Sequence, residues 1–182
     1  AQISDDIFGS YTDPVNMKSQ LEDCSFGQLT IQPGQLPDDV ASKDTSGNTI
    51  PGTMEVTIPI PLNTNDRYKI HNAITTEVQS KLGFTLPGPY EQVMYVIEKC
   101  YVGCGWAAYA YVNSWMSVYQ DHYYKMVGVT VHELGHNFGL AHSGGLNGKT
   151  YTDHTGMMVR FIIFIDIWYL YISVIFSQAK PQ

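Results

Sequence analysis

The residues best suited to chemistry lie in 132–142, which read His-Glu-Leu-Gly-His-Asn-Phe-Gly-Leu-Ala-His. His132 and His136 are four apart, so on a helix they project from one face a turn apart and can share one metal ion. Glu133, beside the first ligand, can reach a metal-bound water without displacing it. A continued helix would carry a residue six positions past His136 off that face. Gly139 can adopt the positive φ that ends the helix and turns the chain back, so that His142 supplies a third nitrogen. Three imidazoles leave a fourth tetrahedral position open, as in catalytic rather than structural zinc sites. Zn2+ in such a site lowers the pKa of bound water toward about 7 and polarises a carbonyl, with Glu133 as general base. Histidines placed for packing or surface contact are the alternative reading.

This constellation needs a helix from about Met126 to Leu140, and the flanking pattern supplies a scaffold for it. Asp13-Pro14 reads as a helix start, with Met17, Leu21 and Cys24 on one face and Gly27 as the stop. Leu29 to Gln32 is a short strand candidate, followed by a Pro-, Gly-, Asp- and Ser-rich loop. Met54, Val56, Ile58 and Ile60 alternate with Glu55, Thr57 and Pro59 as in a half-buried strand, with Pro59 and Pro61 placing its end at an edge. Asn65 or Asp66 can cap a helix in which Ile70, Ile74, Val78 and Leu82 recur, with Gly83 ending it. Val93 to Ile97 reads as a strand, and Trp106 to Tyr119 as two strands joined near Asn113 and Ser114. The alternation of strands and helices without repeats predicts a mixed α/β (α+β) layer.

Composition restricts the function classes. Lys plus Arg total 10 against 17 Asp plus Glu, a formal charge of −7, and no basic run is available to track a phosphate backbone, so nucleic acid is not an expected partner. Charged residues make up 15% and aromatics 13% of the 182 residues, the reverse of a disordered chain. Cys24, Cys100 and Cys104 allow at most one internal disulfide; one bridge and one free thiol is the expectation, with the pairing open and three reduced thiols the alternative. The chain starts at Ala1 with no leader-like segment, as in a mature or trimmed fragment.

The pattern HExxHxxGxxH is the metzincin signature, and the chain resembles that clan of zinc endopeptidases. It is more specifically similar to gametolysin-like peptidases, on DDIFGSYTDPVNMKSQLEDCSFGQL (5–29), GWAAYAYVNSWMSVYQD (105–121) and VHELGHNFGLAHSG (131–144). The resemblance spans about 1–158. It implies a metzincin-type zincin catalytic domain with a mixed twisted sheet and an active-site helix. It further implies zinc ligands His132, His136 and His142, general base Glu133, and a methionine turn beneath the metal in DHTGMM (153–158), Met158 first and Met157 second. The implied activity is a secreted, extracellular or cell-wall endopeptidase acting on matrix or cell-wall proteins and glycoproteins. A strand within Trp106–Tyr119 would pair with extended substrate.

Beyond Met158 the chain departs from the family. Instead of glycine followed by aromatic and small residues it reads Val159-Arg160-Phe161, which makes the C-terminal subdomain truncated or atypical and removes the expected lower wall of the cleft. Residues 159–182 are therefore set apart from the 1–158 catalytic domain. Phe161 to Phe176 is interrupted only by Asp166 and Ser173. As a helix this run spans about 24 Å, short of the ~30 Å hydrocarbon core, so a membrane anchor is a strained reading. A buried helix or strand and a mis-joined coding segment are the others. The functional alternative is a catalytically impaired zinc-containing matrix-binding module or a truncated product. His71, His122 and His154, and the tyrosines at 109, 111, 119, 123 and 124, read as packing or surface residues.

Overall fold

The computed structural model describes residues 2–62, 66–99, 105–145, 148–150, 152, 156–158 and the backbone of 173–179. Its most regular helix, α3 (Arg67–Leu82), follows directly from sequence. Asp66 accepts the amide of Lys69 as N-cap, and Gly83 turns left-handed at φ 76° as C-cap. Ile70, Ile74 and Val78 line its fully buried face. The other helices are α1 (Gln2–Phe8), α2 (Met17–Cys24) and α4 (Val127–Asn137), with a 3-10 turn at Asp121–Lys125 before α4.

The strands are β1 (Ile31–Pro33), β2 (Thr53–Glu55), β3 (Gln92–Ile97), β4 (Ala108–Ala110), β5 (Met116–Gln120) and β6 (Ser173–Ala179). They form one sheet in the order β1-β6-β3-β5-β4, with β2 also paired to β6. The β3–β5 pair is parallel, whereas β4–β5 and every pairing of β6 are antiparallel. The fold is thus a mixed α+β domain, as the alternation predicts.

The period of two on β3 divides the interior between two faces. Val93, Tyr95 and Ile97 join Ile70, Ile74 and Val78 of α3, with Tyr109, Met116 and Val118. Met94 and Val96 point the other way, into a cluster with Ile7, Phe8, Met17, Leu21, Tyr119, Val129 and Leu134. Helix α3 therefore covers one face, and α1, α2 and α4 cover the other.

Two expectations change in detail, and one helix is new. Helix α2 does not begin at Asp13-Pro14: Asn16 is its N-cap, in a reciprocal capping box with Ser19, while the Asp13 carboxylate accepts the amide of Val15. A two-sided cap satisfies more orphan helix donors than the Asp-Pro start would. The alternating segment forms a strand only at Thr53–Glu55, and Pro59 and Pro61 remove ladder donors from its far end. Helix α1 lay unread in the sequence.

Ser173–Ala179, from the apolar tail and beyond, runs antiparallel to β3 with Val93 opposite Phe176 and Tyr95 opposite Val174. Residues 159–172 lie outside the described set. No helix among the described residues is long and apolar enough to cross a membrane. Cys24 is exposed and free; Cys100 and Cys104 lie outside the described residues.

Asn16→Ala removes one half of the capping box and is expected to lower unfolding stability by about 1 kcal/mol. Urea denaturation checks this, and an unchanged midpoint would remove the cap from the account of α2.

Candidate metal centre and active-site helix

Helix α4 is anchored before it becomes chemical. Val129 and Leu134 pack into the second cluster, and Asn137, buried at the last helical position, donates through Nδ2 to the carbonyls of Tyr111 (3.2 Å) and Met116 (3.0 Å). The amide of Asn113 donates to the His136 carbonyl at 2.9 Å. The β4–β5 connection and the end of α4 thus hold one another in register.

The helix ends as Gly139 requires. Its φ is 91°, its amide donates to the His136 carbonyl, and the Leu140 amide donates to Gly135, each at 2.9 Å. This pair of bonds is a Schellman motif. It reverses the chain so that His142 returns toward the helix. The ligand-capable atoms of His132, His136 and His142 all lie within 4.8 Å of one another, with His136 Nε2 3.0 Å from His142 Nε2.

Two further contacts fix which ring atoms are available. His132 Nδ1 stands 2.7 Å from the Met157 carbonyl, and His136 Nδ1 2.8 Å from that of Leu140. A carbonyl only accepts, so each Nδ1 carries the proton and each Nε2 presents its lone pair inward. Burial, as the leading cause, lowers the pKa of His132 and His142; the neighbouring imidazoles add to it, against the Met157 bond at His132. Neutral imidazoles are the ligand form, so the donor set fits a borderline cation such as zinc.

Glu133 is buried beside this cluster. Burial pushes its carboxyl pKa up to about 8, opposed by the Ala110 amide that it accepts and by the charge of Arg67. The carboxyl group is therefore held against edge strand β4, one residue along the helix from His132.

Both methionines reach the centre, by different means. Met158 packs on the helix, where a Cβ on Gly135 would stand 2.6 Å from its Sδ. Met157 is 39% exposed and contributes its carbonyl to His132. The Ser143 amide closes the loop on the Met158 carbonyl at 3.0 Å.

The structure therefore brings together all four motif residues and both methionines. His154 lies outside the described residues. His122 bonds Asp121 at 2.9 Å on the 3-10 turn, and His71 is buried against Tyr109. Tyr109, Tyr119 and Tyr123 are core residues. Asn137, Gly135, Ala110 and Arg67 were not singled out from sequence. Asn137 alone carried a signal, as a polar residue directly after a ligand on a helix whose face is buried.

A mixed α+β domain presenting two imidazoles and a buried carboxyl from one helix, with a third imidazole converging from the turn beyond it, has the architecture of a metallopeptidase. The family model described as gametolysin peptidase M11 matches residues 1–165, and the chain belongs to that family. Comparison with curated proteins and with solved structures returns no match.

Gly135→Ala sets two opposing effects against each other. Helix propensity favours alanine by about 1 kcal/mol, whereas overpacking in a filled site costs about 1–3 kcal/mol. A net loss in thermal stability is expected, reduced in Gly135→Ala/Met158→Ala. Strictly additive effects in that cycle would mean that the two side chains do not compete for the space.

Proposed function

We propose that the protein is a zinc-dependent endopeptidase of metzincin type, secreted and acting on extracellular-matrix or cell-wall proteins and glycoproteins. The observation that carries this reading is the convergence of the His132, His136 and His142 nitrogens beside the buried Glu133. Those three residues would hold the metal. The chemistry such a cation supplies is Lewis acidity, which acidifies water and polarises a scissile carbonyl.

The remaining work falls to the chain. Glu133 takes the proton from the attacking water and delivers it to the leaving amine. Burial favours the protonated acid and suits the second half of that task, and the positive charge of a bound cation beside it would favour the carboxylate that the first half needs. The Ala110 amide fixes the carboxyl group against β4. Among the described residues that strand is last in the sheet order, so its outer edge can add an extended peptide by main-chain hydrogen bonds. Pairing of this kind orients a peptide with little dependence on its side chains, as endopeptidase action on large proteins requires. Extracellular placement rests on the family resemblance.

Casein or gelatin is expected to be cleaved by the wild-type protein with about one zinc per chain. A chelator should stop cleavage, and Glu133→Ala should lower kcat by at least about a hundredfold while retaining the metal. His136→Ala should lose both. Full cleavage by Glu133→Ala would reject the role given to Glu133. Specific binding to matrix protein with stoichiometric zinc and no turnover by the wild type would favour a binding module instead.

A further inference from the structure

We propose that Arg67, with the phenols of Tyr68 and Tyr111, forms a subsite that selects an acidic side chain on the substrate peptide. The inference rests on the reading that a peptide pairs along β4. Side chains of a strand alternate between the faces of its sheet. On β4 itself Tyr109 faces the α3 side, while Ala108 packs toward α4. A peptide laid along the outer edge of β4 continues this alternation and turns every second side chain toward the α3 face.

A shelf of aromatic rings and one cation stands on that face. Arg67, the first residue of α3, holds its guanidinium carbon 5.3 Å from the centroid of the Tyr109 ring. Tyr68 is 65% exposed, with its ring 6.1 Å from Tyr111 and 5.4 Å from His71; His71 and Tyr111 meet edge to face at 5.7 Å. A guanidinium held over an aromatic ring makes a cation–π contact through its face, and the N–H groups at the edge of such a cation are the form in which arginine recognises a carboxylate.

The chemistry of the shelf is that of a donor set. Burial raises the pKa of Tyr109 and Tyr111, with a hydrogen bond to Tyr68 adding to it at Tyr111, so both phenols stay protonated; Tyr109 donates to the Arg67 carbonyl at 3.3 Å, and the Tyr68–Tyr111 pair is the part of the shelf that can turn toward a ligand. Burial lowers that of His71 against the pull of Asp66, so it adds no charge near neutrality. Among the described residues no carboxylate lies within ion-pair distance of Arg67. The nearest acid in sequence, Asp66, accepts the Lys69 amide at 3.0 Å. Tyr109, the ring beneath Arg67, is directly followed on β4 by Ala110, which packs against α4 at Glu133, and this adjacency along one short strand makes the shelf a near subsite rather than a distant contact.

The test scans Glu, Phe, Lys and Ala through each position of one fixed fluorescent peptide. Binding is measured by anisotropy to zinc-loaded Glu133→Gln protein, and cleavage is measured with the Glu133 enzyme. Glu at one position is expected to bind about tenfold more tightly than Ala, the size of one charge-assisted hydrogen bond at a partly exposed rim. Arg67→Gln should erase that advantage while moving the Ala peptide less than about twofold, and Arg67→Glu should transfer the advantage to Lys. A preference for Phe that survives Arg67→Gln, or an equal loss for all peptides, overturns the acidic subsite. Cleavage without an Arg67-dependent preference also rejects the subsite and leaves the peptidase reading standing. Arg67-dependent binding of the Glu peptide with no cleavage by the metal-loaded Glu133 enzyme retains the subsite and rejects the peptidase.

Discussion

Three imidazole nitrogens crowded within 4.8 Å are the constraint on which the rest of the structure depends. Two lone pairs brought together in a partly buried site repel each other, unless a proton or a cation lies between them. The protein removes the freedom to escape by rotation. His132 and His136 each donate from Nδ1 to a fixed carbonyl, so neither ring can turn its lone pair outward without breaking a bond. At His132 and His142 burial then disfavours protonation, which would relieve the repulsion by another route. His142, whose Nε2 stands 3.0 Å from that of His136, can place a proton between the two by its choice of tautomer, and a soft or borderline cation would take that proton's place.

The carbonyls that enforce this arrangement belong to the turns that create it. Leu140 orients His136, and Leu140 is also the residue whose amide closes the Schellman motif on Gly135. Met157 orients His132 from a segment held by the Met158–Ser143 bond and by packing of Met158 on Gly135. Helix termination, ligand orientation and loop closure are therefore one network, and each contact in it is made by a residue that also serves another. The sheet contributes rigidity through Asn137, whose bonds to Tyr111 in the β4–β5 connection and to Met116 at the start of β5 transmit the position of the core to the helix end.

The motif and its helix were legible in sequence because the determinants are local. An i,i+4 pair on a helix, a glycine at the left-handed position and a third ligand just beyond it require no knowledge of the partner elements. Helix α3 was legible for the same reason, with its cap, its apolar period and Gly83 lying in one stretch. The start of α2 was misread because Asp13-Pro14 and Asn16 are both plausible caps, and only the reciprocal bond with Ser19 decides between them. Arg67 and Ala110 could not be connected to Glu133, since α3, β4 and α4 meet only through sheet order. The same limit applies to Ser173–Ala179: an apolar run declares that it prefers burial, but not that it pairs with β1, β2 and β3.

That non-local placement also explains how one short strand can serve two faces. Strand β4 has only the residues Ala108 to Ala110, yet it pairs with β5, donates to Glu133 on the α4 side and carries Tyr109 beneath Arg67 on the α3 side. Small side chains at Ala108 and Ala110 let α4 approach closely enough for the Ala110 amide to meet a carboxyl group. The large ring of Tyr109 on the opposite face fills the space under α3 and supports the guanidinium. A tyrosine at 110 would separate the carboxyl from the strand, and an alanine at 109 would leave Arg67 without its platform. The alternation of small and large residues along this edge thus sets close approach of α4 on one face against support of the Arg67 guanidinium on the other.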